Sequence, residues 1–224
     1  MEVIMGAFFI ADLHLGGSYS YRFYGRPFTK YKTYENTILA NIRNTVSSKD
    51  DTYYIGDFLD YEPVPERDHS WEYGLSLVDM LPGRKHLILG NNEERLIQHE
   101  LGSFEEFQKL ALRAGFAECV RDKVINVDGN LFYLNHFYEN CRLDMLNMYG
   151  HAHRERAVSQ RGFNVCCDLT GYYPVSSTQL IAIFERALTY SLPNSHIPNS
   201  KHFDKDLWNT YRNVWHKRIM QLYK

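Results

Sequence analysis

The chain has 224 residues, 44% of them apolar and 23% charged, with a net charge of −2. Such a composition suits a globular protein that buries a core without disulfides or a structural metal, and excludes a disordered chain. The near-neutral charge argues against a non-specific nucleic-acid binder held by a basic surface.

Residues 5–11, Met-Gly-Ala-Phe-Phe-Ile-Ala, form a short apolar run that predicts a buried strand. No basic stretch precedes it and Asp12 ends it, so a first strand is expected rather than a signal peptide. A polar, aromatic loop is expected from Asp12 to about Lys30. Tyr31, Tyr34, Ile38, Ile42 and Val46 then recur at helical spacing. Residues 52–55 predict a second strand ending at Gly56-Asp57. Residues 71–80 predict a helix stopped by Pro82-Gly83, and residues 85–89 a third strand ending at Gly90-Asn91. This alternation is the rhythm of a parallel or mixed α/β sheet.

Residues 124–127 and 130–134 flank Asp128-Gly129 and predict a hairpin. Residues 146–150 and 162–168 predict further strands. Ser176-Ser-Thr-Gln179 has the spacing of a capping box opening a helix to about Tyr190. Residues 191–203, with Pro193 and Pro198, predict a linker. Beyond it Leu207, Tyr211, Val214, Trp215, Ile219 and Leu222 share one helical face. The expected organisation is therefore a domain over 1–190 and a linker with a docked C-terminal helix over 191–224. Cys119, Cys141, Cys166 and Cys167 form no C-x-x-C pair, so neither a zinc knuckle nor a disulfide framework is expected. No apolar stretch approaches the roughly 18 residues a membrane span needs, and a cytoplasmic protein is expected.

The chemistry-bearing residues gather where predicted strands end. The first strand leads into Asp12-Leu-His14, the second into Gly56-Asp57-Phe-Leu-Asp60, and the third into Gly90-Asn91-Asn92-Glu93. His136 follows the hairpin, and Gly150-His151-Ala-His153 follows the next strand. Ligand sites in open α/β sheets form at the carboxyl ends of strands. In extended backbone, the residues of a D-x-H or H-x-H pair project the same way. Each motif alone has a bland explanation as a surface pair, a strand histidine or a turn. Five in order make coincidence the poorer explanation.

The order D-x-H, G-D-x-x-D, G-N-x-E, a strand-borne His and G-H-x-H resembles the calcineurin-like metallophosphoesterase superfamily, over about residues 5–175. Arg26-Pro-Phe, Gly83-Arg-Lys-His and Tyr172-Tyr-Pro-Val add a resemblance to its small bacterial and phage members. The resemblance implies a four-layer α/β/β/α sandwich, here with a C-terminal helical appendage. It implies two divalent metal ions, with Asp12, His14, Asp57 and His153 around the first. Asp57, Asn91, His136 and His151 would surround the second, with Asp57 bridging. Imidazole, carboxylate and amide ligands suit Mn, Fe, Zn, Ni or Co, and Mn is the first expectation. The implied reaction is hydrolysis of a phosphate ester by a metal-bridging hydroxide, with metals roughly 3.5–4 Å apart.

The family's third motif commonly carries a histidine where this chain has Asn92, and that histidine is credited with helping to protonate the leaving oxygen. Asparagine donates a hydrogen bond but supplies no proton. Asp60, which would orient that histidine, loses its partner. The expected catalytic set is Asp57, Asn91, Asn92, His136 and Asp60. Some relatives without the histidine are associated with phosphodiesterase activity, so a phosphodiester, of nucleotide or nucleic-acid-end type, is favoured over a phosphomonoester. A binding scaffold with this fold is the alternative of another class.

Asn92, Arg26, Arg95 and Arg154 are the expected substrate contacts, with Arg22 and Arg156 as further cations, since guanidinium forks suit phosphate oxygens. Taken singly, each of these arginines is more simply read as a solvated surface charge. Tyr19, Tyr21, Phe23 and Tyr24 could stack a base or pack the loop on its own domain. The expected partner is the phosphate-ester substrate, with no membrane and no obligate protein partner.

Overall fold

A computed structural model of the chain describes residues 3–4, 6–61, 71–142, 145–154, 158–159 and 162–190. In chain order the elements begin β1 (Val3–Ile4), β2 (Ala7–Ile10), α1 (Tyr19–Phe23), α2 (Tyr31–Thr45), β3 (Asp51–Ile55) and α3 (Trp71–Ser76). They continue β4 (Arg84–Ile88), α4 (Asn91–Leu96), α5 (Phe104–Arg113), β5 (Glu118–Val120), β6 (Asp122–Val127) and β7 (Asn130–Asn135). The last are β8 (Leu146–Tyr149), β9 (Val158–Ser159), β10 (Gly162–Asn164), α6 (Cys167–Thr170), β11 (Val175–Ser176) and α7 (Ser177–Tyr190).

The strands form two parallel-rich sheets. One has the order β11-β2-β3-β4-β5, parallel except for β11, and the other β1-β6-β7-β8-β10-β9. Side-chain alternation along β2 and β3 explains how they pack. Ala7, Phe9, Ala11, Tyr53 and Ile55 point to one core, shared with Ile125, Phe132, Leu134, Met148 and Phe163 of the second sheet. Ile10, Tyr54, Leu87 and Leu89 point to the other core, against Ile38 and Ile42 of α2 and Phe107 of α5. Each fully buried Leu, Ile, Phe or Met side chain among them contributes roughly 1.5–3 kcal/mol relative to exposure. The contacts thus establish a mixed α/β arrangement with helices on one face of the five-stranded sheet and the second sheet on the other. Among the described residues no helix is long and apolar enough to cross a membrane.

Several local expectations coincide with the structure. The helix at Tyr31 runs to Thr45. The hairpin turns at Asp128 and Gly129, both at positive φ (50° and 86°), as a primed two-residue turn requires. The capping box is reciprocal: Gln179 N donates to Ser176 Oγ at 3.2 Å, and Ser176 N donates to Gln179 Oε1 at 3.1 Å.

Two expectations need correction. The expected loop 12–30 contains α1. The strand expected over 162–168 stops at Asn164, and Cys167–Thr170 is a helical turn. The expected start at Met5, Arg156, and the linker and helix of 191–224 lie outside the described residues.

Candidate metal centre

Sheet topology carries the five motifs to one place. Parallel β2, β3 and β4 end side by side, so Asp12, Asp57 and Asn91 follow one another across the carboxyl edge. The second sheet, across the shared core, delivers His136 after β7 and His151 after β8. The extended-backbone reason expected for the paired motifs is incorrect. Asp12, His14, Asp57, His151 and His153 all have left-handed backbone, with φ of 59°, 49°, 47°, 67° and 45°. Only seven described non-glycine residues have positive φ, so five of the seven are candidate ligands. Each such residue costs of order 1–3 kcal/mol, and strain of this kind concentrates at functional sites.

The donor atoms fall into two sets joined by Asp57. In the first, His14 Nε2 lies 3.8 Å from Asp57 Oδ2, and His153 Nε2 lies 3.9 Å from Asp12 Oδ1. Asp12, His14 and Asp57 each present one donor atom within 4.8 Å of the others. In the second, His136 Nε2 lies 3.6 Å from Asp57 Oδ1 and 3.2 Å from Asn91 Oδ1, while His151 Nδ1 lies 2.8 Å from the same amide oxygen. Separations of 3.6–3.9 Å are too long for hydrogen bonds. They suit two bonds of about 2.0–2.2 Å to a shared ion.

The surroundings orient these donors. His136 Nδ1 donates to Ile55 O at 2.9 Å, which leaves Nε2 with its lone pair toward Asp57 and Asn91. Glu93 accepts from the backbone N–H groups of Gly90, Asp57 and Leu59, at 2.8, 3.0 and 2.9 Å, and so ties the third motif to the second. Gly56 takes φ 77°, and a Cβ there would meet His136 Nδ1 at 2.2 Å.

A cation fits this cluster on two counts. His14 Nε2 is buried with no hydrogen-bond partner, a costly orphan unless something positive binds it. Burial, reinforced by the charge of Asp12, pushes the Asp57 carboxyl up to about 8. Burial also pushes His14 well below the usual histidine range, with the Arg26 guanidinium adding to it. A buried carboxyl that resists ionising beside an imidazole, that of His14, that resists protonation is a donor set a divalent ion stabilises. Ligation through His14 Nε2 places the ring proton on Nδ1. On that side Asn92 Nδ2 lies 2.9 Å away and Asp60 Oδ1 3.9 Å away. An Asn92 amide turned to present its oxygen would accept a hydrogen bond from that N–H, at the cost of its bond to Leu59 O and of the bond it receives from Asn91 Nδ2.

The expected catalytic and substrate residues divide. Arg95 and Asn92 line a cavity of about 150 Å³ with His14, Asp57 and Asn91. Asn92 is nevertheless buried, with Nδ2 on Leu59 O (3.0 Å) and facing His14 Nδ1, so a bond to phosphate needs that pair to give way. Asp60 is an anchor for α1: Ser20 Oγ donates to it at 2.5 Å and Ser20 N at 3.3 Å. Arg154 lines a second cavity of about 580 Å³ with Tyr138 and Glu139, and Tyr24 and His151 border both cavities.

Arg26 is a correction. Its side chain is fully buried, its Nε and Nη2 donate to Asp168 at 2.9 and 3.2 Å, and Nη2 also donates to Asp12 O at 2.6 Å. A guanidinium so committed is not available to substrate. Arg22 sits on Tyr21, its Nε donating to the hydroxyl at 3.0 Å. Among the loop aromatics Tyr21 is buried against Tyr34, Phe23 is 65% exposed, and Tyr24 stacks on His153 with centroids 3.4 Å apart.

The sequence reading missed Asp168. Burial opposes its ionisation, yet Arg26 and the hydrogen bond from His153 Nδ1, at 2.8 Å, hold its carboxyl well below the usual range. The only local signal is the polar Asp after two cysteines, inside a segment whose pattern predicts strand.

No family model matches the chain. The chain is 22% identical over 189 residues to an uncharacterized protein of Methanocaldococcus jannaschii, across 80% of this chain and 91% of that one. It resembles the crystal structure of a protein of unknown function from Aquifex aeolicus, at 23% identity and a TM-score of 0.54, across 80% of this chain and 99% of that one. Yfce, a phosphoesterase from E. coli, aligns at 13% identity and a TM-score of 0.37, across 72% of this chain and 78% of that one. The Aquifex likeness shows the fold alone, and the Yfce likeness is too distant to carry an argument.

Proposed function

We propose that this chain is a dinuclear-metal-dependent phosphoesterase that favours phosphodiesters, of nucleotide or nucleic-acid-end type. The observation that carries the reading is the convergence of seven donor residues, five on left-handed backbone, with the buried Asp57 shared by both sets. Asp12, His14, Asp57 and His153 would hold one ion, and Asp57, Asn91, His136 and His151 the other, with Mn²⁺ the first to try. Two such ions supply Lewis-acid charge and a nucleophile of lowered pKa.

The chain's own side chains do the rest. Two formal carboxylate charges against two divalent ions leave a cationic site that attracts a phosphate ester. Arg95, on the smaller cavity, orients a non-reacting phosphate oxygen. Asn92 can donate a hydrogen bond there but cannot protonate a poor leaving group. The larger cavity meets the smaller at Tyr24 and His151, and offers room for a second ester substituent, which supports a diester over a monoester. Arg154 borders that room.

The test compares hydrolysis of bis-p-nitrophenyl phosphate and p-nitrophenyl phosphate, with added Mn²⁺ and with EDTA. Chelator-sensitive cleavage favouring the diester is expected. Preference for the monoester would reverse the reading of Asn92. Silence on both, in protein that binds no metal, would favour a binding scaffold.

A further inference from the structure

His153 approaches the centre from a loop, with Tyr24 stacked on its ring. Its two nitrogens face different worlds. Nε2 points to Asp12 Oδ1 at 3.9 Å, and Nδ1 lies 2.8 Å from Asp168 Oδ2. Asp168 has no exposed side-chain surface. Its oxygens also accept from Arg26 Nε and Nη2, at 2.9 and 3.2 Å, and from the Tyr172 hydroxyl at 3.3 Å.

The other end of Arg26 reaches the ligand segment itself. Nη2 donates to Asp12 O at 2.6 Å and Nη1 to Leu13 O at 3.3 Å. The Tyr34 hydroxyl also donates to Leu13 O and accepts from Arg26 Nη1 at 2.5 Å. One buried ion pair therefore touches His153 through its carboxylate and the backbone of Asp12 through its guanidinium. A buried ion pair is weak support for stability, because desolvating both charges offsets most of their attraction. Its placement makes sense as support for a ligand: a carboxylate on one imidazole nitrogen puts the proton there and leaves the other nitrogen free to bind.

We propose that Asp168, held by Arg26, is a positioning residue for the first ion. It keeps His153 in the Nδ1-protonated tautomer with Nε2 turned to Asp12, so the affinity of that ion depends on a pair outside the ligand set. The inference rests on the metal-centre reading above.

The test is calorimetric titration of chelator-stripped protein with Mn²⁺, joined to long-range ¹H–¹⁵N correlation spectra of the imidazoles. Asp168→Asn is expected to weaken the first ion about 10–100-fold and leave the second set, Asn91, His136 and His151, unchanged. Arg26→Met combined with Asp168→Leu replaces the pair by apolar groups, an exchange often neutral for stability. That double variant is expected to stay folded and still bind the first ion weakly. Full affinity in the folded double variant would mean that the pair is structural only, and would overturn the proposal. If both variants fail to fold, the wild-type spectrum decides: His153 protonated on Nδ1 supports the proposal, and on Nε2 overturns it. Wild-type protein that binds no divalent ion would sink the metal-centre reading and this inference with it. Two ions bound equally well by wild type and Asp168→Asn would sink the inference alone.

Discussion

Gly90→Ala changes no ligand, yet it should disable the centre. Gly90 joins β4 to α4 with φ −107° and ψ −173°, a conformation alanine tolerates, so backbone strain is not the issue. Space is. A Cβ at this position lands 2.3 Å from both the backbone N and Oδ1 of Asp57. Ordinary contact begins near 3.4 Å, so one side must retreat by about 1 Å. Asp57 cannot retreat freely, because its N–H is held by Glu93 at 3.0 Å and its Oδ1 by Asn92 N at 2.9 Å. Overpacking of this kind costs typically about 1–3 kcal/mol. A displacement of about 1 Å at a positioning group can cost on the order of 10²-fold in rate. The assay pairs initial rates of bis-p-nitrophenyl phosphate cleavage, at saturating Mn²⁺, with a thermal melt. The expected variant is folded at the assay temperature and slower by about two orders of magnitude. A folded variant turning over at the wild-type rate would refute the placement of Asp57 at the reacting centre.

Four further outcomes are expected. Asp57→Asn removes the carboxylate shared by both donor sets, so elemental analysis after gel filtration should find both ions depleted and turnover lost; surviving turnover would contradict the ligand assignment. Burial, with the charge of Asp12, raises Asp57 to about 8, and burial, with the charge of Asp57, raises Glu93 to about 7. A carboxyl raised this way keeps its proton in the folded state but loses it when unfolded, so the metal-free protein should lose stability as pH rises from about 4 to about 8. Divalent-metal binding, which in the proposed centre draws on the carboxylate of Asp57, should tighten over the same window with proton release; calorimetry with Mn²⁺ showing affinity flat or falling with pH would refute this. Asn92→His supplies an acid beside the smaller cavity and should speed cleavage of esters with poor leaving groups. Unchanged rates would mean that position 92 does not face the leaving oxygen.

Much of the fold was legible because its signals are short-range. The alternation of Phe9 and Ile10 between two cores is written in a four-residue strand. The Asp128-Gly129 turn and the Ser176–Gln179 box each rest on chemistry within a few residues. The order of five motifs, each closing a strand, likewise marks the candidate ligands. Their backbone was not legible: left-handed φ at Asp12 and His153 reflects the whole surrounding structure holding residues where their own preferences would not put them.

Arg26 shows the limit most clearly. By its type and its place in the first loop it reads as a phosphate contact. Its actual partner, Asp168, lies 142 positions away in a helical turn that sequence patterning took for strand. That turn meets the first loop only because β2, β11 and the second sheet pack as they do. Local periodicity carries no record of such a pairing, since it is decided by the burial of both charges together. Residue types and their positions at strand ends are enough to mark which side chains could bind a metal. Which nitrogen an imidazole such as His153 presents, and which cations are spent inside the protein, follow from the packed fold, because both depend on contacts between segments far apart in the chain.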